Sequence, residues 1–409
     1  MHKQEIIQKK LDNGLSLIFL RDARYTTSSV LFGFNVGWRN DPEGYEGLAH
    51  LFEHLVGKRT KKYHDKSSFD KYKESKGIKT SAMTYPNYTY YIQNQSHQNL
   101  PDSLELMFES IYNTSFTLED LENEKKVVLT EAGEYLDNDT NFSYFKNRGN
   151  IFKGTSVARF FFGNKRTLKN VTLKTFEGFY KYCKNPQNSF LIISCNESAD
   201  VEELQRKVES LYEIFKDITT KTIPPINDRL VELKEKVTLN KKRKQALMLF
   251  SFRGNNISID KKISFDFIRA LLSEGFNSRI ISKLRDKMGL IYWVYVNLLP
   301  FPPFYEITIE TSTAKNNTTI VSKEIPNIVN ELTNSSQTDI DELKEIIKYN
   351  VLSGINSSED AIFALTSLVE YKELVSTEEY LKKIDKMEVG AVVSFVNEIR
   401  DQKARFIMN

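Results

Sequence analysis

The chain has 409 residues, of which 40% are hydrophobic and 27% charged, with only 10 Pro; this composition excludes the disordered and fibrous classes, and the length predicts two domains rather than one core. Its 57 Lys and Arg against 54 Asp and Glu leave a net charge of +3, too small to argue for a nucleic-acid partner. The opening MHKQEIIQKKLDNG lacks an apolar targeting core, and no run approaches the roughly 18 apolar residues of a membrane span, so a cytosolic protein without a membrane partner is expected.

The basic runs at 58–62 and 241–244 read as solvated turns and strand ends. Cys183 and Cys195, the two cysteines, fit buried reduced thiols better than a disulfide framework. Without a targeting segment, the sequons at Asn87 and Asn170 read as chance in an Asn-rich chain.

In chain order, residues 15–21 and 28–38 alternate apolar and polar and predict paired strands. Residues 47–56 predict a helix with one apolar face, and 80–93 a strand rich in Thr and Tyr. Helical spacing returns at 104–112 and 118–135, the second entered through Thr117 with Asp120 and Glu122 in its first turns. A strand over 190–195 and a helix over 201–215 close this half. The stretch 219–227, TKTIPPIND, has two prolines and no periodicity and predicts a linker between domains 1–218 and 228–409. A similar order then restarts, with strands over 231–239 and 246–253, a helix over 264–286, strands over 290–298 and 304–313, and helices over 322–332 and 340–355. Two similar α+β domains of about 200 residues are expected, each a mainly antiparallel sheet with helices packed on one face.

Within GLAHLFEHLVG, His50 and His54 stand at i and i+4 on one helical face, and both imidazoles can reach one ion. Glu53 lies beside them, where its carboxylate can approach a water on that ion without being a ligand. A catalytic zinc takes three protein ligands of this nitrogen and oxygen type and keeps the fourth position for water. The third ligand must come from elsewhere, and the helix over 118–135 carries Glu124 and Glu131 seven apart on one face; either could serve.

The spacing His50, Glu53, His54 is the inverted zinc motif H-x-x-E-H, and the chain resembles the pitrilysin, insulin-degrading enzyme and mitochondrial processing peptidase family. That resemblance implies one zinc per chain, held by His50, His54 and Glu131, with Glu53 as general base and Glu124 supporting the site. The lead-in VGWRNDPEGYEGLAHLFEHLV, the residues Gly163 to Thr167, and Pro186 with Asn188 extend the likeness along the first domain. In SRIISKLRDKMGLIYWVYV, Arg285 and Tyr292 stand at the positions that reach substrate at the zinc in the family, and the resemblance implies that both bind substrate and take part in catalysis, Tyr292 by stabilising the oxyanion. The sequence departs from the family at the substrate strand, where Ser81 and Ala82 replace an Asn-Ala pair, and in LVGKRTKKYH after His54.

The function so implied is a zinc endopeptidase hydrolysing unfolded peptides in an enclosed chamber, with the peptide added as a strand near residues 81–84. A dedicated processing peptidase acting on one precursor with a partner subunit is the alternative reading, and a non-catalytic structural or binding subunit is a third, opposed by the intact residue set. Family members enclose substrate between four such domains in two bowls of a clamshell. A chain with two domains forms one bowl, which points to a homodimer, or to a heterodimer with a related subunit.

Overall fold

In the computed structural model, which describes residues 4–214, 226–232, 235–239, 243–275 and 278–409, the alternating pattern of the first half becomes a six-stranded sheet. Its strands are β1 (Glu5–Lys10), β2 (Ser16–Arg21), β3 (Ser28–Phe34), β4 (Lys79–Thr84), β5 (Thr89–Gln95) and β6 (Ser189–Cys195), in the order β1-β2-β6-β3-β5-β4. Neighbours are antiparallel except for β2 with β6. The helices of this half are α1 (Leu48–Leu55), α2 (Lys66–Ser75), α3 (Leu100–Tyr112), α4 (Leu118–Asp137), α5 (Asp139–Ile151), α6 (Lys165–Asn170), α7 (Leu173–Cys183) and α8 (Val201–Ile214). Alternate residues of β3, Val30, Phe32 and Phe34, join Leu51, Phe52 and Leu55 of α1 and Leu104 and Phe108 of α3 in one core. Cys183 and Cys195 are free and buried in the same core.

The second half builds a sheet from β7 (Lys236–Leu239), β8 (Ala246–Asn255), β9 (Val294–Phe301), β10 (Phe304–Thr313) and β11 (Lys403–Met408), ordered β7-β11-β8-β10-β9. Only β7 with β11 is parallel. Without β1, the first sheet has this same order and this same single parallel pair, so the internal repeat is one of topology. Helices α9 (Ile259–Ser273), α10 (Thr318–Glu331), α11 (Gln337–Ser353), α12 (Ser358–Glu370), α13 (Thr377–Asp385) and α14 (Val389–Ile399) complete the chain. The helix expected over 264–286 is interrupted: α9 ends at Ser273, Gly275 takes φ +75°, and a π-helical turn, Ile281–Lys287, follows.

The two compact units are not the continuous halves expected from the sequence. One comprises Met1–Tyr135, Arg159–Asn227 and Ile355–Thr366; the other comprises Leu136–Ala158, Asp228–Gly354 and Ser367–Asn409. The expected linker at 219–227 lies mostly outside the described residues. The exchange follows from packing. Phe142 and Tyr144 of α5 lie against Leu247, Leu249, Phe406 and Met408 of the second sheet. In the first unit, Ser358 Oγ lies 2.8 Å from Ser29 Oγ, and Phe363 packs edge-on against Tyr90. Each sheet thus carries its main helices on one face and receives a segment from the other half of the chain. No helix among the described residues is long and apolar enough to cross a membrane.

Candidate metal centre

Helix α1 is short, and its seat is fixed at its start. Leu48, Leu51, Phe52 and Leu55 are buried toward the sheet. The buried Asp41 carboxylate accepts the Gly47 and Ala49 amides, both at 2.8 Å, satisfying donors that a helix start leaves open. Gly47 has φ +96°, and a Cβ there would lie 2.5 Å from the Phe162 carbonyl oxygen, so the entry requires glycine. The opposite side of α1 presents His50 and His54, whose ring centroids are 4.7 Å apart. Helix α4 is capped at its start by Thr117, whose Oγ accepts the Asp120 amide at 3.1 Å while its own amide donates to Asp120 Oδ2 at 2.8 Å. Its regular 3.6-residue turn then sets Glu124 and Glu131 along one face.

The structure brings His50, His54 and Glu131 together, with one ligand atom from each lying within 4.8 Å of the others. Glu131 Oε2 is 3.8 Å from His50 Nε2 and 3.4 Å from His54 Nε2. Two donors on one tetrahedral zinc stand about 3.3 Å apart, given metal–ligand bonds of about 2.0–2.1 Å, so this donor set fits the ion. Glu124 does not join it: Glu124 Oε2 takes the other ring nitrogen, His54 Nδ1, at 2.9 Å, and its Oε1 contacts Lys58 Nζ. That is the arrangement by which a carboxylate fixes the tautomer and direction of a metal-binding imidazole. Glu53 Oε2 lies 3.9 Å from His50 Nε2 and is held by Thr84 Oγ1, which donates to it at 2.6 Å.

Burial, helped by the neighbouring His54, drives the His50 pKa down to about 3, so this imidazole is neutral and available as a ligand. Burial also acts to lower His54, but the hydrogen bond it donates to Glu124 and the charges of Glu131, Glu53 and Glu124 outweigh it and raise its pKa. Burial raises the pKa of Glu53, against the opposing Thr84 hydrogen bond and His54 charge. In Glu124 the same burial effect is overcome by hydrogen bonds from His54 and Lys58, and its pKa falls. His50 packs edge-on against Phe162, with centroids 4.8 Å apart, and its Nδ1 is buried without a hydrogen-bond partner among the described residues.

Beside Glu53 and His54 opens a cleft of about 360 Å³, walled by Val56, Gly57, Phe69, Ala82, Ile92 and Met107. Ser81 and Ala82 sit on β4, the edge strand, paired on one side to Ile92 and Tyr91 of β5. The outer side of β4 therefore offers backbone donors and acceptors to an added strand. Arg285 and Tyr292 are not in this cluster; they belong to the other compact unit. There Arg285 Nε pairs with Asp286 at 2.9 Å, and Tyr292 is 84% exposed.

Sequence reasoning had no place for Thr84 as the partner of Glu53, for Lys58 on Glu124, or for Phe162 against His50. The first depends on strand register, the second on a turn after α1, and the third on a contact across more than a hundred residues; only the run RFFFGN, too apolar for an exposed loop, hinted at the last.

Comparison with known proteins gives a concordant result. Residues 17–159 match the family described as Insulinase (Peptidase family M16), and residues 170–347 match that described as Peptidase M16 inactive domain. The chain is 25% identical to "Zinc protease PqqE" of Helicobacter pylori, over 97% of this chain and 92% of that protein. It is 28% identical to the "Insulin-degrading enzyme" of Drosophila melanogaster, over 40% of this chain and 16% of that protein. In fold it matches the crystal structure of a protease from Helicobacter pylori, with a TM-score of 0.89 at 21% identity over the whole of both chains. A peptidase M16 inactive domain from Pseudomonas fluorescens matches with a TM-score of 0.86 at 15% identity, over 99% of this chain and 97% of that one. All five His of this sequence precede residue 98, so the stretch matching the inactive domain has no imidazole to offer a metal.

Proposed function

Because the chain belongs to peptidase family M16, we propose that it is a zinc-dependent endopeptidase acting on unfolded peptides. The observation that carries this reading is the convergence of His50 Nε2, His54 Nε2 and Glu131 Oε2 with the Glu53 carboxylate alongside. A zinc ion held by those three side chains supplies Lewis-acid activation of a water and of the scissile carbonyl. Glu53 takes the proton of the attacking water and returns it to the leaving amine, and Thr84 keeps its carboxylate in place for both transfers. Glu124 holds His54 in the tautomer that leaves Nε2 free. Substrate adds to the open edge of β4 by backbone hydrogen bonds, with a side chain entering the adjoining cleft. Arg285 and Tyr292 are assigned to substrate binding by family resemblance.

The test is metal analysis joined to a panel of quenched peptides. One zinc per chain is expected, with cleavage lost on chelation and restored by added zinc. A protein that takes up no zinc, or that holds zinc and cleaves no peptide of the panel, would count against a general peptidase. Cleavage of a single precursor-like peptide alone would favour the processing reading.

A further inference from the structure

We propose that Lys58 is a positioning residue of the metal centre: it fixes the Glu124 carboxylate against His54, and through that imidazole sets how tightly the site binds its ion. The inference rests on the zinc reading above. Glu124 is 8% exposed, and its two oxygens are divided between two partners: Oε2 with His54 Nδ1 at 2.9 Å and Oε1 with Lys58 Nζ. A carboxylate gripped at one oxygen can swing about that contact; one gripped at both cannot. Removing Lys58 would also leave a buried charge with one oxygen unpaired, a costlier loss than that of a surface ion pair.

The chain places Lys58 by several independent anchors. After α1 ends at Leu55, Gly57 turns with φ +76°, where a Cβ would come within 3.2 Å of Ser110 Cβ. The Gly57 amide donates to Thr114 Oγ1 at 3.0 Å, and the Ser115 amide donates to the Arg59 carbonyl at 2.8 Å. Arg59 Nη2 meets Asp120 Oδ1 at 3.1 Å. The segment thus runs antiparallel along one face of α4: His50 opposite Glu131, His54 opposite Glu124 and Glu131, Lys58 opposite Glu124, Arg59 opposite Asp120. Lys58 and Arg59 close the end of the register that His50 and His54 use.

The experiment measures zinc affinity of the full chain, stripped of metal, by competition with a chromophoric chelator. Lys58→Met, which keeps the stem and removes the charge, should weaken zinc binding severalfold, less than loss of Glu124, which itself touches the ligand His54; Lys58→Arg should stay near wild type. In a Glu124→Gln background the same Lys58→Met change should have little further effect, because the coupling runs through Glu124. Melting of the metal-free variants separates this from unfolding, and Lys58→Gln replaces Lys58→Met if the latter is not recovered folded. Unchanged affinity in Lys58→Met overturns the proposal, as does an equally large loss in the Glu124→Gln background. A wild type that shows these affinity differences but cleaves no peptide upholds Lys58 and overturns the peptidase reading alone; a wild type without zinc affinity overturns both.

Discussion

Glu124 and Glu131 look interchangeable in the sequence, seven residues apart on one helix face, yet they touch the histidines differently. Glu131 Oε2 approaches the Nε2 atoms of both His50 and His54, whereas Glu124 takes His54 from its Nδ1 side. Their alanine variants should therefore diverge. Glu131→Ala deletes a ligand and should leave the purified protein with little zinc, whereas Glu124→Ala should retain zinc with an affinity about 10–100-fold weaker; equilibrium zinc titration of both distinguishes them, and equal losses would contradict the division of roles. Thr84→Val tests the grip on Glu53. Its hydroxyl is the side-chain donor to Glu53 Oε2 at 2.6 Å, and its removal should lower kcat about tenfold, ~1.4 kcal/mol of transition-state orientation, at unchanged zinc content. A variant that lost zinc instead would show Thr84 supporting the fold of the site. At this scale the H-x-x-E-H spacing was legible because a helix of fixed pitch carries it. Thr84, Lys58 and Phe162 were not, because a strand register, a glycine turn and a distant loop bring them in.

Helix α1 is exact in place because Asp41 receives two of its opening amides. Asp41→Ala would strand both buried donors, and a loss of roughly 2–6 kcal/mol is expected from two unsatisfied groups, read as a lower melting temperature with weakened zinc binding. Glu306 of β10 is 1% exposed; its Oε1 accepts from Ser251 Oγ at 2.7 Å, and its Oε2 has no partner among the described residues. Asn147 of α5 donates to Ser251 Oγ at 2.6 Å. Burial raises the Glu306 pKa, against the charge of Arg148 and the Ser251 hydrogen bond. The folded chain thus holds this proton more tightly than the unfolded one. Its contribution to stability is fully present below the ordinary carboxylate value of about 4.3 and is lost as pH rises through the raised folded value. Glu306→Gln should accordingly melt a few degrees higher than wild type at pH 8, with the gap closing toward pH 4; a gap constant across that range would contradict the assignment. Helix α5 escaped sequence reading for a related reason. Its buried positions include Ser143 and Asn147, so polar residues stand where an apolar stripe would announce a helix, whereas β10, Phe304–Thr313, is rich in β-branched and aromatic residues that mark it as a strand.

For the whole molecule, the repeat was legible as a restart of the same element order after 227, and it reappears as two sheets of one topology. The exchange of residues 136–158 and 355–366 between units was not legible, because periodicity reports which face of a segment is apolar and not which sheet it covers. His50, His54 and Glu131, the proposed zinc ligands, lie in one unit, and Arg285 and Tyr292 in the other. We propose a homodimer in which each subunit's Arg285 and Tyr292 serve the zinc of its partner. Glu53→Gln and Arg285→Ala chains should each be nearly inactive alone, yet regain part of the activity after subunit exchange, since one mixed dimer pairs an intact Glu53 with an intact Arg285. No recovery, with exchange verified by tagged subunits, would contradict completion in trans. In the proposed mechanism Glu53 works as a base beside a zinc held by His50, His54 and Glu131. The most direct measurement is peptide turnover by Glu53→Gln at a zinc occupancy equal to wild type: we expect kcat to fall by at least 10²–10⁴-fold with zinc still bound, and turnover near the wild-type rate would contradict the reading of this centre.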